Sequence, residues 1–216
     1  MPICPGAGGS IPAGGGGAIA DIGSHIIALA RFLLGPIAEV MAAFETVVKT
    51  RPIASGAAER RPVEVDDVAR LILRFARGIS RSIEANRAAT GRKMHLAFEV
   101  SGRDGALVFT QERFNELLYH RRGGDPRHQG FTRIEAGPAD PPYGRFCPAP
   151  GHQLGFNDLK VIEVAGFLEA IAGGPLAGPD FSEAWEVQKV IDAAILSART
   201  RSWQPIARGA GALSAP

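Results

Sequence analysis

The chain has 216 residues, 45% hydrophobic and 21% charged, and its 24 basic and 22 acidic side chains leave a formal net charge of +2. That length and apolar content allow one or two domains with a real core, and the near-neutral charge provides no field for nucleic acid or acidic lipid. Cys4 and Cys147 lie far apart without metal-ligand spacing, which argues against a disulfide framework or zinc site and for a reducing, cytoplasmic setting. No apolar run reaches the roughly 20 residues of a membrane span, because Ile26 to Leu34 is broken by Arg31 and closed by Gly35-Pro36.

Residues 1–13 are Gly, Pro and Ala without periodicity, which predicts a disordered leader lacking the basic and apolar regions of a secretory signal. One domain is expected over 14–206, with a disordered tail at 207–216. From Ala18 onward, Ile19, Ile22, Ile26, Leu29 and Leu33 recur at three and four, the spacing of a helix with a buried stripe, and Gly35-Pro36 ends it. A strand is expected at Ala38 to Thr50, then a polar, Pro-bearing loop from Arg51 to Pro62. The period next changes to two, at Leu71 to Phe75, Ile79 to Asn86 and Met94 to Val100, followed by short strands at Ala106 to Phe109 and Phe114 to Tyr119. Strands joined by such short connections pair antiparallel, which predicts one meandering sheet and no βαβ array.

Gly123 to Pro150 reads as an irregular excursion with one strand at Phe131 to Glu135. Asn157 is the expected N-cap of a helix through Ile171, with Leu159, Ile162, Val164, Ala165, Leu168 and Ile171 on one face. Ser182 is the expected cap of a last helix to Arg199, turning Trp185, Val187, Gln188, Ile191, Ala194 and Ile195 inward. Phe32, Phe167 and Trp185 read as core. The fold class is therefore α+β: an open, mainly antiparallel β-sheet with helices packed on one face, and no Rossmann domain.

Asp21 and His25 are four residues apart, so on a helix they project from one face about a turn from each other. An imidazole whose ordinary pKa is about 6.5 can exchange a proton with a substrate hydroxyl, and the carboxylate can fix its tautomer or grip a second hydroxyl. Spacing alone equally suits a first-turn acid favoured by the helix dipole with a half-buried histidine beside it. His152, in P-G-H-Q-L-G-F, can reach a hydroxyl from a loop or be a solvated loop histidine; Asn86 and Arg87 close a strand and border a site or merely face water. His95, His120 and His128 have no ligand spacing, so no metal site is expected.

The stretch G-G-G-A-I-A-D-I-G-S-H-I-I-x-L-A-R-F-L-L-G (Gly15 to Gly35) closely resembles the opening of the second domain of the glucose-fructose oxidoreductase, inositol dehydrogenase and MocA family. P-D-F-S-E-A-W-E-V-Q-K-V-I-D-A-A-I-L-S-A (Pro179 to Ala198), followed by Trp203, is similar to that family's closing helix. S-I-E-A-N-R-A-A-T-G-R-K, F-E-V-S-G-R-D-G-A-L-V-F and G-H-Q-L-G-F-N-D resemble its sheet and substrate-side loop. The A-T-G-R-K and P-G-H-x-x-G-F spellings look most like its levoglucosan dehydrogenase-like sugar dehydrogenase branch. The resemblance spans about 14–206 and implies an NAD(P)-dependent oxidoreductase acting on a sugar or polyol, His25 as catalytic histidine and Asp21, with His152, Asn86 and Arg87, as substrate-binding residues.

Two departures qualify what is implied. Ala28 stands where many members have aspartate, and the sequence has neither a G-x-G-x-x-G after a strand nor an E-K-P tripeptide. The nucleotide-binding domain, about 120 residues or more, is thus expected to be missing. This chain alone should bind no cofactor and be inactive, NAD or NADP being implied for the complete enzyme. A separate nucleotide-binding subunit and homo-oligomers through the sheet face are the expected partners. The alternative is a non-catalytic remnant that oligomerises or binds a sugar weakly.

Overall fold

The structure, a computed structural model, describes residues 16–175 and 178–207; the expected leader and nearly all of the expected tail lie outside them. Two compact units divide the chain, one from residues 1–90 and 179–216, the other Gly91–Gly178. Among the described residues no helix is long and apolar enough to cross a membrane.

The first unit begins with a helical turn α1 (Gly17–Ala20) and α2 (Ile22–Leu34), followed by β1 (Ile37–Glu45), a hairpin of β2 (Thr50–Pro52) and β3 (Arg60–Pro62), β4 (Val68–Phe75) and β5 (Ser80–Asn86). The second holds β6 (Ala97–Ser101), β7 (Gly105–Thr110), β8 (Glu116–Arg121), β9 (Thr132–Glu135) and α3 (Phe156–Ile171). The chain returns to the first with α4 (Phe181–Thr200) and β10 (Gln204–Pro205). One four-stranded sheet has the order β10-β1-β4-β5, the other β6-β7-β8-β9, and every pairing is antiparallel.

The α+β class with an open antiparallel sheet stands, but the single meander does not. Met94 takes a φ of 52°, outside the β region, so the expected strand at Met94 to Val100 starts only at Ala97 and pairs onward with β7. The strand expected at Ala38 to Thr50 ends at Glu45, because the Val48 N–H is taken by the Asp67 carboxylate at 2.8 Å. The expected loop from Arg51 to Pro62 contains the β2–β3 hairpin.

Alternation along β4 sends Leu71, Leu73 and Phe75 into the core and Arg70, Ile72 and Arg74 to the other face. On the inner side the sheet buries Val40, Ala69 and Ala85 against Ile19 and Ile27 of the first two helices and Val190, Ile191 and Ala194 of α4. Here α2 lies close to β5 because Gly23 has no side chain: a Cβ there would stand 3.0 Å from Ile19 Cδ1 and 3.5 Å from the Ala85 methyl. The buried stripe is therefore Ile19, Gly23, Ile27 and Ala30, about one residue around the helix from the expected Ile22, Ile26, Leu29 and Leu33, which are only half-buried.

Polar groups tie α4 in place. The Ser197 hydroxyl, fully buried, accepts the Ala42 N–H at 3.0 Å and donates to the Ser202 carbonyl at 2.7 Å. Arg31 of α2 lies against α4, where its Nε and Nη2 donate to the two Glu183 oxygens at 2.7 and 3.0 Å. These bonds, more than the cost of desolvation, hold its guanidinium above the usual arginine range.

Three aromatic residues expected in the core are exposed instead: Phe32 84%, Phe167 63% and Trp185 59%. Their helices are apolar on more than one side, so periodicity does not choose which side is covered. On α3, Leu159, Ile162 and Ala165 are half-buried, while Val164, Leu168 and Ile171 are exposed. The caps also differ by a residue or two. Asp180, not Ser182, caps α4, its carboxylate accepting the Glu183 N–H at 2.9 Å and the Ser182 hydroxyl at 2.6 Å. Asn157 lies inside α3, where Asp158 reaches back to the Gly155 N–H at 2.6 Å.

Candidate functional site

Asp21 stands at the junction of α1 and α2, and His25 one turn further on. Both are exposed, on the face of α2 turned away from the sheet. Phe32 shares that face, seven residues and about 10 Å beyond His25 at 1.5 Å of rise per residue. The four-residue spacing does not produce a bond between the two groups. Asp21 Oδ2 instead accepts from Nη2 of Arg87, and among the described residues the His25 side chain has no hydrogen-bond or ionic partner.

Arg87 follows the last residue of β5 and is anchored by its own backbone, whose N–H donates to the Asp67 carbonyl at 2.9 Å. Asn86 is occupied locally: its Oδ1 takes the Ala88 N–H at 2.9 Å and its Nδ2 donates to Glu84 at 3.1 Å. The fold thus brings Asp21, His25 and Arg87 to one end of the first unit, with Asn86 adjacent in the chain. His152 belongs to the second unit, exposed in a turn where its N–H donates to the Ala149 carbonyl at 3.2 Å. Its loop is held by Asn115, which exchanges two hydrogen bonds with the Leu154 backbone at 3.0 and 2.9 Å.

Sequence reasoning passed over Asp66 and Asp67, both almost fully buried at the start of β4. Asp66 caps the helical segment that carries the site: its carbonyl accepts the Ala18 N–H at 2.9 Å and its Oδ2 the Ile19 N–H at 2.9 Å. Burial lifts its carboxyl above the ordinary aspartate range, against those backbone hydrogen bonds and the nearby charge of Arg87. Gly17 makes the cap fit. Its φ is 91°, and a Cβ there would lie 2.0 Å from Asp66 Oδ1. The signal was the D-D pair opening a strand, where two adjacent acids have no reason to be unless one turns inward. Asp67 does so toward the Val48 N–H and Arg51, 2.5 Å away.

These starts of helices also decide whether the described residues suit a dinucleotide. A pyrophosphate needs backbone N–H groups left open at a helix N-terminus after a parallel strand. Among the described residues Asp66 fills the start of α1, α2 runs on directly from α1 with no strand before it, Asp158 turns back on α3, Asp180 caps α4, and every strand pairing is antiparallel. The described residues do not fit that cofactor.

Residues 9–108 match the model of the GFO/IDH/MocA C-terminal domain. Over 201 residues the chain is 36% identical to levoglucosan dehydrogenase of Pseudarthrobacter phenanthrenivorans, an alignment covering 88% of this chain and 51% of that protein. Among solved structures, an NAD binding oxidoreductase from Klebsiella pneumoniae superposes with a TM-score of 0.85 at 38% identity, over 92% of this chain and 53% of its own. A levoglucosan dehydrogenase in complex with NADH and levoglucosan gives 0.81 at 35% identity, over 88% of this chain and 50% of its own. The chain spans about half the length of the curated relative it matches. Through these matches, and through the fold that bears them out, the chain belongs to the GFO/IDH/MocA family as a C-terminal domain.

Proposed function

We propose that this chain is the substrate half of a nicotinamide-dependent sugar or polyol dehydrogenase, with His25 as its proton-transferring group, and that alone it turns nothing over. One observation carries this: Asp21 and His25 lie in solvent on the outer face of α2, away from the core, in a chain whose relatives include a structure solved with NADH and levoglucosan. A sugar hydroxyl within hydrogen-bond reach of His25 can give its proton to the imidazole while Asp21 accepts from a neighbouring hydroxyl; oxidation of the carbon would in addition need a nicotinamide, held by other polypeptide, to take the hydride. Asn86 and Arg87 border the same end of the unit, and His152 is a further candidate for a hydroxyl contact. NAD or NADP must be held by polypeptide other than the described residues, as a separate nucleotide-binding subunit would do.

The face of the first sheet opposite the helices supports self-association. Met41, Ile72 and Ser82 lie side by side across that face, and Ile72 is 49% exposed. Ion pairs of Arg74 with Glu39 and of Arg70 with Glu84, each at 2.8 Å, stand on either side. A small apolar strip between charged rims is the composition of a homo-oligomer contact.

The test is reconstitution. The chain is mixed with, or fused to, the nucleotide-binding half of a family relative, and NAD(P) reduction is followed with levoglucosan and other sugars. Turnover that His25→Ala abolishes supports the assignment; turnover unchanged by His25→Ala removes His25 from its role. Titration of the chain alone with NADH and NADPH is expected to give no saturable binding, and saturation would refute its incompetence. His152→Ala in the fused enzyme should raise KM if that residue touches the sugar.

A further inference from the structure

We infer that Arg87 is a positioning residue whose task is to hold the Asp21 carboxylate away from His25, leaving the imidazole unpaired to receive a proton. This role rests on the proposed function of His25 and refines it.

A carboxylate and an imidazole four residues apart on a helix have Cβ atoms about 5–6 Å from each other, close enough to pair by default. Such a pair favours the imidazolium, which has no lone pair left to accept a substrate proton. In this chain the default is pre-empted. Arg87 Nη2 donates to Asp21 Oδ2, and the Arg87 backbone adds one hydrogen bond to the β4–β5 ladder beyond Val68 and Asn86, donating to the Asp67 carbonyl at 2.9 Å. The guanidinium is thus carried on a strand end while Asp21 sits on the helix.

The next carboxylate, Asp66, is bonded to the Ile19 N–H at the start of the same helical segment and also feels the charge of Arg87. One cation therefore faces both acids at this end of the unit. Arg31, the arginine of α2 itself, is committed to Glu183 and Glu186 on α4. An arginine stays charged throughout the range in which histidine titrates, so its hold on Asp21 does not lapse as His25 gains or loses its proton. The result is a division of labour: an anchored anion for binding and a free imidazole for proton transfer.

The experiment is an NMR titration of His25 in the whole chain, its resonances assigned with His25→Ala. Wild type, Arg87→Gln, Arg87→Lys, Asp21→Asn and the Arg87→Gln/Asp21→Asn double variant are compared, with amide spectra checking that each is folded. Releasing Asp21 by Arg87→Gln should raise the His25 midpoint by roughly 0.2–0.4 pH unit, the effect of an exposed opposite charge four residues away on a helix. Arg87→Lys, which keeps the cation, should stay near wild type. In the Asp21→Asn background the Arg87→Gln shift should vanish.

An unchanged midpoint in Arg87→Gln overturns the inference. So does an equal rise in the Asp21→Asn background, because that would be simple loss of a nearby positive charge. Neither sugar nor nicotinamide enters the titration, so failed turnover on reconstitution would count against the dehydrogenase reading alone and a flat titration against Arg87 alone.

Discussion

Gly17→Ala tests how the helical segment bearing Asp21 and His25 is seated. The substitution places a methyl where Asp66 Oδ1 now stands, 2.0 Å from the ideal Cβ, at a backbone φ of 91°. Relief requires the Asp66 carboxylate to move, and with it the bond to the Ile19 N–H. Forcing an L side chain into positive φ costs about 1–2 kcal/mol and losing an N-cap about 0.5–2 kcal/mol, a destabilisation of roughly 1.5–4 kcal/mol in all. At the middle of that range Tm falls by roughly 6–12 °C. Both tryptophans, Trp185 and Trp203, belong to the first unit, so thermal unfolding followed by tryptophan fluorescence reports on that unit specifically. The mechanism also makes a coupling prediction. Once Asp66→Ala has removed the carboxylate, Gly17→Ala should cost only its backbone strain, and the two losses should fall short of additive. A Tm within about 1 °C of wild type, or strictly additive losses, would refute the seating of the helix by this pair.

Other substitutions probe neighbouring features. Because burial raises the Asp66 carboxyl above its unfolded value, the native chain binds more protons than the unfolded one between those two values, and the strain of its charge is imposed as pH rises through that window. Asp66→Asn should therefore gain on wild type in urea unfolding as pH rises from about 3.8 toward neutrality; a constant difference would contradict it. Ser197→Ala should cost about 1–3 kcal/mol and speed exchange of the Ala42 amide, which loses its acceptor. Arg31→Met should cost about 1–2 kcal/mol, at the lower end for a charged hydrogen-bonded pair because Glu183 is 34% exposed and can rehydrate. Ile72→Glu should shift sedimentation toward monomer while leaving the fluorescence melt in place; an unchanged profile from an oligomeric wild type would exclude the open sheet face.

The strands were legible in the sequence because alternation is a local signal: Leu71, Leu73 and Phe75 point inward where their period says. Breaks were less so. The strand beginning at Ala97 instead of Met94 follows from one left-handed residue that is not glycine, and the β2–β3 hairpin is spelled with prolines at both of its edges, a pattern that also describes a loop. The pairing of Asp21 and His25 on one exposed helix face was readable from spacing. That Asp21 belongs to Arg87 was not, since the two are 66 residues apart and it takes both the β4–β5 register and the seating of the helical segment on Asp66 and Ala85 to bring them together.

The misplaced aromatics have a related cause and a consequence for the site. A helix reports from its own sequence which residues are apolar, but which of them a core covers depends on the bodies that pack around it. Gly23 and Ile27 meet the sheet, Arg31 meets α4, and Phe32, one step further round, meets solvent along with His25. A phenylalanine 84% exposed keeps apolar surface in water, a cost that burial against a partner would recover. Under the proposed function that cost has a purpose, because whatever brings a nicotinamide to His25 must approach along this face and can bury Phe32 as it arrives. Phe32→Ser should leave the fluorescence melt of the isolated chain within about 0.5 kcal/mol of wild type, as for an exposed site. It should nevertheless weaken recovery of turnover when the nucleotide-binding half is added in trans. Undiminished recovery at limiting concentration would mean that the approach uses another surface.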